Sequence, residues 1–247
     1  MNFLRRIVKP KTKEDEDFYY QLKNLLNFKP ITLQHYKRAF IHRSLKMTDS
    51  NGKPINYERL EFLGDAILGS VIASFLYKEA PKGNEGYLTQ MRSKVVSRDN
   101  LNKLGKELDL IRFVKSNVNQ KQVGNNIHGN IFEALVGAIY LDRGYNYCHQ
   151  FIYDQIIIPY VDLQKLENKI TSYKGFIIEW CQKTKRKYSF DSYEDTGKQT
   201  QKHFSVVVVI DGQKIAKGRA TSKKKAEEMA AKRVYYAFQK EINNSHT

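Results

Sequence analysis

The run Asn56-Tyr57-Glu58-Arg59-Leu60-Glu61-Phe62-Leu63-Gly64-Asp65-Ala66-Ile67-Leu68 decides how this chain is read. On a helix, positions three and four apart stack on one side, so Glu58, Glu61 and Asp65 line a single face. Three carboxylates held together repel, and such a cluster is costly unless a cation offsets it. Hard oxygen donors of this kind suit Mg²⁺. Leu60, Leu63, Ile67 and Val71 recur at helical spacing and predict the buried stripe that holds the acidic face steady.

A second apolar helix is expected over Asn130-Ile131-Phe132-Glu133-Ala134-Leu135-Val136-Gly137-Ala138-Ile139-Tyr140, with Asn130 and Glu133 on one face. Packed beside the first helix, it would bring four oxygen-bearing side chains around one or two metal ions. Mg²⁺ so held can activate water and neutralise charge in phosphodiester hydrolysis. Charged helix faces are common, however, and a solvated face, or pairing with Arg59 and nearby lysines, accounts for any one such spacing taken alone.

Working outward, the 247 residues carry 42 Lys and Arg against 26 Asp and Glu, a net charge of +16. That balance makes a polyanion the first partner to consider, nucleic acid before an anionic membrane. The longest apolar runs, Val206 to Ile210 and Ile156 to Ile158, fall far short of the ~20 residues that span a bilayer. The start, Met1-Asn2-Phe3-Leu4-Arg5-Arg6-Ile7, lacks the continuous apolar segment of a secretory signal, so a soluble, cytoplasmic protein is expected. Cys148 and Cys181 form no CxxC pair, which argues against a disulfide framework or structural zinc.

Residues 1–16 mix charges without an apolar period and read as a loose lead-in. From 17 to 161 the apolar residues recur mainly at helical spacings, broken by turn clusters at Asp49 to Pro54, Pro81 to Asn84 and Val123 to Gly129. The charge-mixed stretch 162–169 reads as a linker. Residues 170–240 then give a helix around Tyr173 to Trp180, strands at Tyr188 to Tyr193, Phe204 to Ile210 and Lys214 to Ala220, and a long helix from Lys223 to Phe238, with a tail over 241–247. Asp211-Gly212 is the hairpin signal. This α-β-β-β-α unit is the more basic per residue: residues 168–247 hold 17 Lys and Arg against 8 Asp and Glu, residues 1–167 hold 25 against 18. It is expected to be the nucleic-acid grip. Thr221-Ser222-Lys223-Lys224-Lys225 sets three lysines at a helix start, where cations oppose the dipole but free N–H groups favour phosphate.

The string Glu58 to Asp65 resembles the signature of the ribonuclease III family. Further pieces resemble that family in the same order: His42-Arg43-Ser44, Glu85-Gly86-Tyr87-Leu88 through Arg92, and Asn130 to Leu141. The C-terminal unit resembles its double-stranded RNA-binding domain, so the likeness runs from about Asp17 to Phe238. The resemblance implies an all-α endonuclease domain followed by a small α+β double-stranded RNA-binding domain. It further implies a homodimer with two cleavage sites in one valley, each cutting one strand of duplex RNA to 5′-phosphate and 3′-hydroxyl ends.

Carried over by position, Glu61 and Glu133 ligate Mg²⁺, for which Mn²⁺ can substitute. Asp65 is a catalytic carboxylate near the metal, Glu133 shares the catalytic role, and Glu58 supports them. Phe62 matches the aromatic that enters the partner subunit, although taken alone it reads as ordinary core packing. Asn130 departs, because the family usually has Asp there; its carbonyl oxygen still ligates a hard cation but contributes no charge. In the RNA-binding domain Glu179 and Lys223, Lys224 and Lys225 match contact positions. Gly175 and Ile178 replace polar neighbours, and Lys198 and Thr200 stand where the family's loop has Pro and His. Expected work is ribosomal RNA precursor processing and turnover of structured transcripts. The alternatives are a non-catalytic double-stranded RNA-binding scaffold, which only Asn130 favours, and a generic nucleic-acid chaperone.

Overall fold

Thr12 Oγ1 accepts a hydrogen bond from Asp15 N at 3.1 Å and opens α1, Lys13–Leu26, whose first turn carries Glu14, Asp15 and Glu16. The computed structural model describes residues 12–118, 124, 126–167, 170, 172–195 and 203–244. Its chain divides into two units, Met1–Glu167 and Asn168–Thr247.

In the first unit α1 is followed by α2, Leu33–Ala39, a 3-10 turn at Arg43–Leu45, α3, Glu58–Glu79, α4, Glu85–Val95, and α5, Arg98–Glu107. A second 3-10 turn at Leu110–Phe113 leads towards α6, Ile127–Arg143. Then come α7, Tyr145–Ile152, a π turn at Tyr153–Ile157, α8, Ile158–Tyr160, and α9, Leu163–Glu167. This is the all-helical domain expected. α3 has the length and hydropathy of a membrane span, but Leu60, Leu68, Val71, Ile72 and Leu76 are buried in the same core as Ile131, Phe132, Leu135 and Ile139 of α6. At the far end of α6, buried Asp142 accepts from Ile31 N (2.9 Å), Thr32 N (2.7 Å) and Tyr36 Oη (2.9 Å), fixing α2 against it.

Several sequence-based boundaries move. Of the lead-in expected over 1–16, residues 1–11 lie outside the described residues, and Lys13 to Glu16 form the first turn of α1, where acids complement the helix dipole. Asp15 pairs there with Lys37, and Glu14 with Lys115 at 2.6 Å. The stretch read as a linker over 162–169 contains α9, whose Leu166 is buried. Lys94, only 4% exposed, donates from Nζ to Leu166 O (2.8 Å) and Glu167 O (3.0 Å) and so satisfies carbonyls at the end of α9. The loop expected through Gly129 ends at Ile127, where α6 begins. The buried stripe of α3 also turns from the expected one: Leu60 and Val71 are buried, but Gly64, Leu68, Ile72 and Leu76 join them, while Leu63 and Ile67 are only half-buried.

The second unit begins with α10, Tyr173–Lys183, capped by Ser172 Oγ accepting from Gly175 N at 3.1 Å. Strands β1, Tyr188–Asp195, β2, His203–Ile210, and β3, Gln213–Ala220, form an antiparallel sheet in that order, and α11, Lys223–Ala237, follows. Asp211 and Gly212, at φ 50° and 82°, make the two-residue turn that matches strand twist. Val206, Val208 and Ile210 of β2 pack with Ile177, Trp180, Ala230 and Val234 of the helices, each such burial worth roughly 1.5–3 kcal/mol. The tail expected over 241–247 is partly helical: in α12, Gln239–Asn244, Ile242 is buried and Glu241 Oε2 meets Arg186 Nη2 at 2.7 Å. Cys148 and Cys181 are buried free thiols in the separate cores.

Candidate active site

Helices α3 and α6 cross at two glycines. A Cβ on Gly64 would stand 1.7 Å from the carbonyl oxygen of Glu133, and one on Gly137 would stand 2.3 Å from that of Leu60. Any side chain at either position would push the helices apart, so the backbones touch only because both positions lack one. The crossing sets the acids of α3 beside the start of α6. Glu58, Glu61, Asp65, Asn130 and Glu133 all line one cavity of about 530 Å³, as the spacing predicts, with Phe62 at its edge.

Each side chain has a local reason for its place. Glu58 opens α3; its N donates to Asn56 Oδ1 (3.1 Å), while Asn56 Nδ2 donates to Glu58 Oε2 (3.0 Å). Arg43 Nη1, not Arg59, approaches Glu58 Oε1 at 3.5 Å. On α6, Asn102 Oδ1 accepts from Gly129 N (2.8 Å), and Asn102 Nδ2 donates to Asn126 Oδ1 (3.3 Å), which fixes the turn that presents Asn130. The Asn130 side chain lies close enough to buried Tyr57 to oppose the upward shift that burial imposes on its hydroxyl.

The electrostatics are those of a site with too much negative charge. Burial, with the charges of Asp65 and Glu61 adding to it, pushes the Glu133 carboxyl up to about 8. Glu61 is also raised, chiefly by burial and then by Glu58. Arg98, at the first position of α5, works against both shifts and is the only cation lining the cavity among the described residues. The donors surround the cavity rather than closing on a point: among the described residues no three carboxylate, imidazole or thiol groups form a ready-made coordination cluster. Four carboxylates, Glu58, Glu61, Asp65 and Glu133, and the Asn130 carboxamide oxygen around an open, over-charged cavity nevertheless fit a hard divalent cation.

Phe62 is 80% exposed, so core packing does not explain it. In the second unit, Lys223, Lys224 and Lys225 are exposed at the start of α11, where Ser222 Oγ accepts from Lys225 N at 3.3 Å. Glu179 is half-exposed on α10 and pairs with Lys183 at 3.0 Å. Glu227 and Glu228 hold the unit together instead, through Lys174 Nζ (2.7 Å) and Tyr173 N (2.9 Å) respectively. Lys198 and Thr200 lie outside the described residues.

The Ribonuclease-III-like family model matches residues 34–160, and the double-stranded RNA binding motif matches residues 173–235. Ribonuclease 3 of Zunongwangia profunda is 60% identical over 98% of this chain and 100% of its own length. Ribonuclease 3 of Flavobacterium psychrophilum is 56% identical over 98% and 99%. The chain belongs to the ribonuclease III family of double-stranded RNA endoribonucleases.

Solved ribonuclease III structures carry the same fold. The nuclease domain of the enzyme from Campylobacter jejuni, described for structural flexibility in a region involved in dimer formation, superposes with a TM-score of 0.51 at 27% identity. The match covers 57% of this chain and 96% of that one. Three polar cavity residues are not marked by the sequence as part of the site: Arg98, Asn102 and Asn126. Arg98 and Asn102 sit four apart on α5, a spacing that marks a shared face but not the one towards the acids. Asn56 is missed as well, although an Asn whose side chain bonds the backbone two residues on is a recognised turn signal.

Proposed function

We propose that this ribonuclease III hydrolyses double-stranded RNA with Mg²⁺ bound by Glu61, Asp65, Asn130 and Glu133, leaving 5′-phosphate and 3′-hydroxyl ends. The observation that carries this reading is the glycine-mediated crossing, which gathers those four side chains in one cavity where Glu133 is held at about 8. When bound, Mg²⁺ activates water and neutralises charge on the phosphate oxygens, and Mn²⁺ can take its place. The protein's part is placement. Asp65, exposed on the cavity wall, orients the attacking water through its carboxylate; Glu133, raised to about 8, holds a proton at neutral pH in the metal-free protein; Glu58, clamped by Asn56, supports Glu61 from the edge.

Two copies pair through Phe62, whose exposed ring fits a partner subunit better than water. The Lys223-Lys224-Lys225 cluster binds phosphates of A-form RNA, with Glu179 and Lys198 as further RNA contacts. The work expected of such an enzyme in the cytoplasm is ribosomal RNA precursor processing and turnover of structured transcripts.

Incubating duplex RNA with Mg²⁺ beside Asp65→Asn and Glu133→Ala variants tests the assignment. Both variants should stop cutting while duplex binding in Ca²⁺ survives. Cleavage persisting in either would remove that residue from the site; no cleavage by the unsubstituted chain would favour the scaffold reading that Asn130 supports.

A further inference from the structure

We propose that Arg98 binds the scissile phosphate of the RNA and, once the bond is cut, the 5′-phosphate that it becomes; this rests on the endonuclease reading above. The cavity presents four carboxylates, Glu58, Glu61, Asp65 and Glu133, and a phosphodiester entering it meets their repulsion. Arg98 is the one cation facing that space among the described residues, and it comes from α5, outside the acid-bearing helices α3 and α6. Its charge reaches both Glu61 and Glu133, yet it makes no ion pair within 4.0 Å among the described residues. Arg43, by contrast, is engaged with Glu58.

The position has no local explanation. Arg98 is the first residue of α5, where a cation opposes the helix dipole, and its neighbour Asp99 already supplies the acid that this turn prefers. An exposed guanidinium there keeps its donors free, and their planar fork matches two phosphate oxygens at once. A phosphate held between Arg98 and the cation expected on the acids would be fixed from two sides, as in-line attack requires.

Arg98→Met and Arg98→Lys in the full chain test this with two readouts. In single-turnover cleavage at saturating enzyme and Mg²⁺, Arg98→Met should lower the rate roughly 10- to 100-fold, with Arg98→Lys between it and the unsubstituted protein. In Ca²⁺, the unsubstituted protein should bind a nicked duplex ending in 5′-phosphate more tightly than the same duplex ending in 5′-hydroxyl, and Arg98→Met should lose that preference. If Arg98 merely offsets the acids, Arg98→Met will cut at the full rate and need less Mg²⁺, with the end preference unchanged; either result overturns the proposal. Should the unsubstituted chain not cut at all, the endonuclease reading fails, and the end preference still decides whether Arg98 binds phosphate.

Discussion

The Cα of Gly64 rests against the carbonyl oxygen of Glu133, leaving 1.7 Å where a Cβ would go. The contact sets the spacing of α3 and α6, and with it the separation of Glu61 and Asp65 from Glu133. Because the obstacle is backbone on a helix central to the core, Gly64→Ala cannot be absorbed by one side chain turning aside. It should lower stability by about 3 kcal/mol or more and reduce cleavage beyond what instability explains. Gly86→Ala, in α4 where a Cβ would meet nothing nearer than 3.6 Å, should leave stability unchanged or raise it by up to about 1 kcal/mol. Urea unfolding of the two variants measures the difference; equal midpoints would mean that the crossing yields.

Glu58, Glu61 and Asp65 are legible as one face because helical periodicity is local, and the strands of the second unit are legible for the same reason. Gly64 is visible in the sequence, but the Glu133 carbonyl it meets is 69 positions away, and nothing in either neighbourhood names the other. Lys94 shows the converse. Nothing about its place after Arg92 and Ser93 marks it for burial, yet its ammonium is buried under α9, where it donates to two carbonyls. Arg98 and α9 are opaque alike: a short polar stretch carries too few apolar positions to show which way it faces.

The raised carboxyls give the protein a pH dependence with a definite sign. Glu133 titrates near 8 in the folded chain and near ~4.3 when unfolded. Between those values the native state binds more protons, so the metal-free protein should lose stability as pH rises from about 4.5 to 8. Thermal melts of the metal-free protein and of Glu133→Gln should diverge across that window, the substituted protein falling less. Mg²⁺ should raise the melting temperature more at pH 8 than at pH 6, because at pH 6 it must displace a proton. Parallel melting curves would show that Glu133 is ionised throughout.

Asn130 lines the cavity with buried Tyr57 close by. Asn130→Asp adds the charge that the family usually carries at this position, and the Tyr57 hydroxyl can donate to the new carboxylate, so the geometry should persist. An anionic ligand holds a hard cation more strongly than a carbonyl does. The Mg²⁺ concentration for half-maximal cleavage should therefore drop several-fold. A titration that is unchanged, or shifted upward, would place Asn130 outside the coordination shell.

Lys223, Lys224 and Lys225 project from the start of α11, and none of them forms an ion pair among the described residues. Contacts between lysine and phosphate draw their free energy from released counterions, which makes binding fall steeply with salt and leaves base sequence unread. Replacing all three by Ala should weaken binding to unrelated duplexes alike and reduce the slope of log affinity against log salt by about one per lysine that contacts a phosphate. The unit itself should fold normally, since Ala is a good helix former and the Ser222 cap and the buried Ala226 and Ala230 are untouched. Cleavage should survive at low salt, where the nuclease domain's own contacts suffice, and fail first as salt approaches physiological levels. A triple variant with an unchanged salt slope, or one whose losses depend on the duplex sequence, would move the RNA grip away from α11.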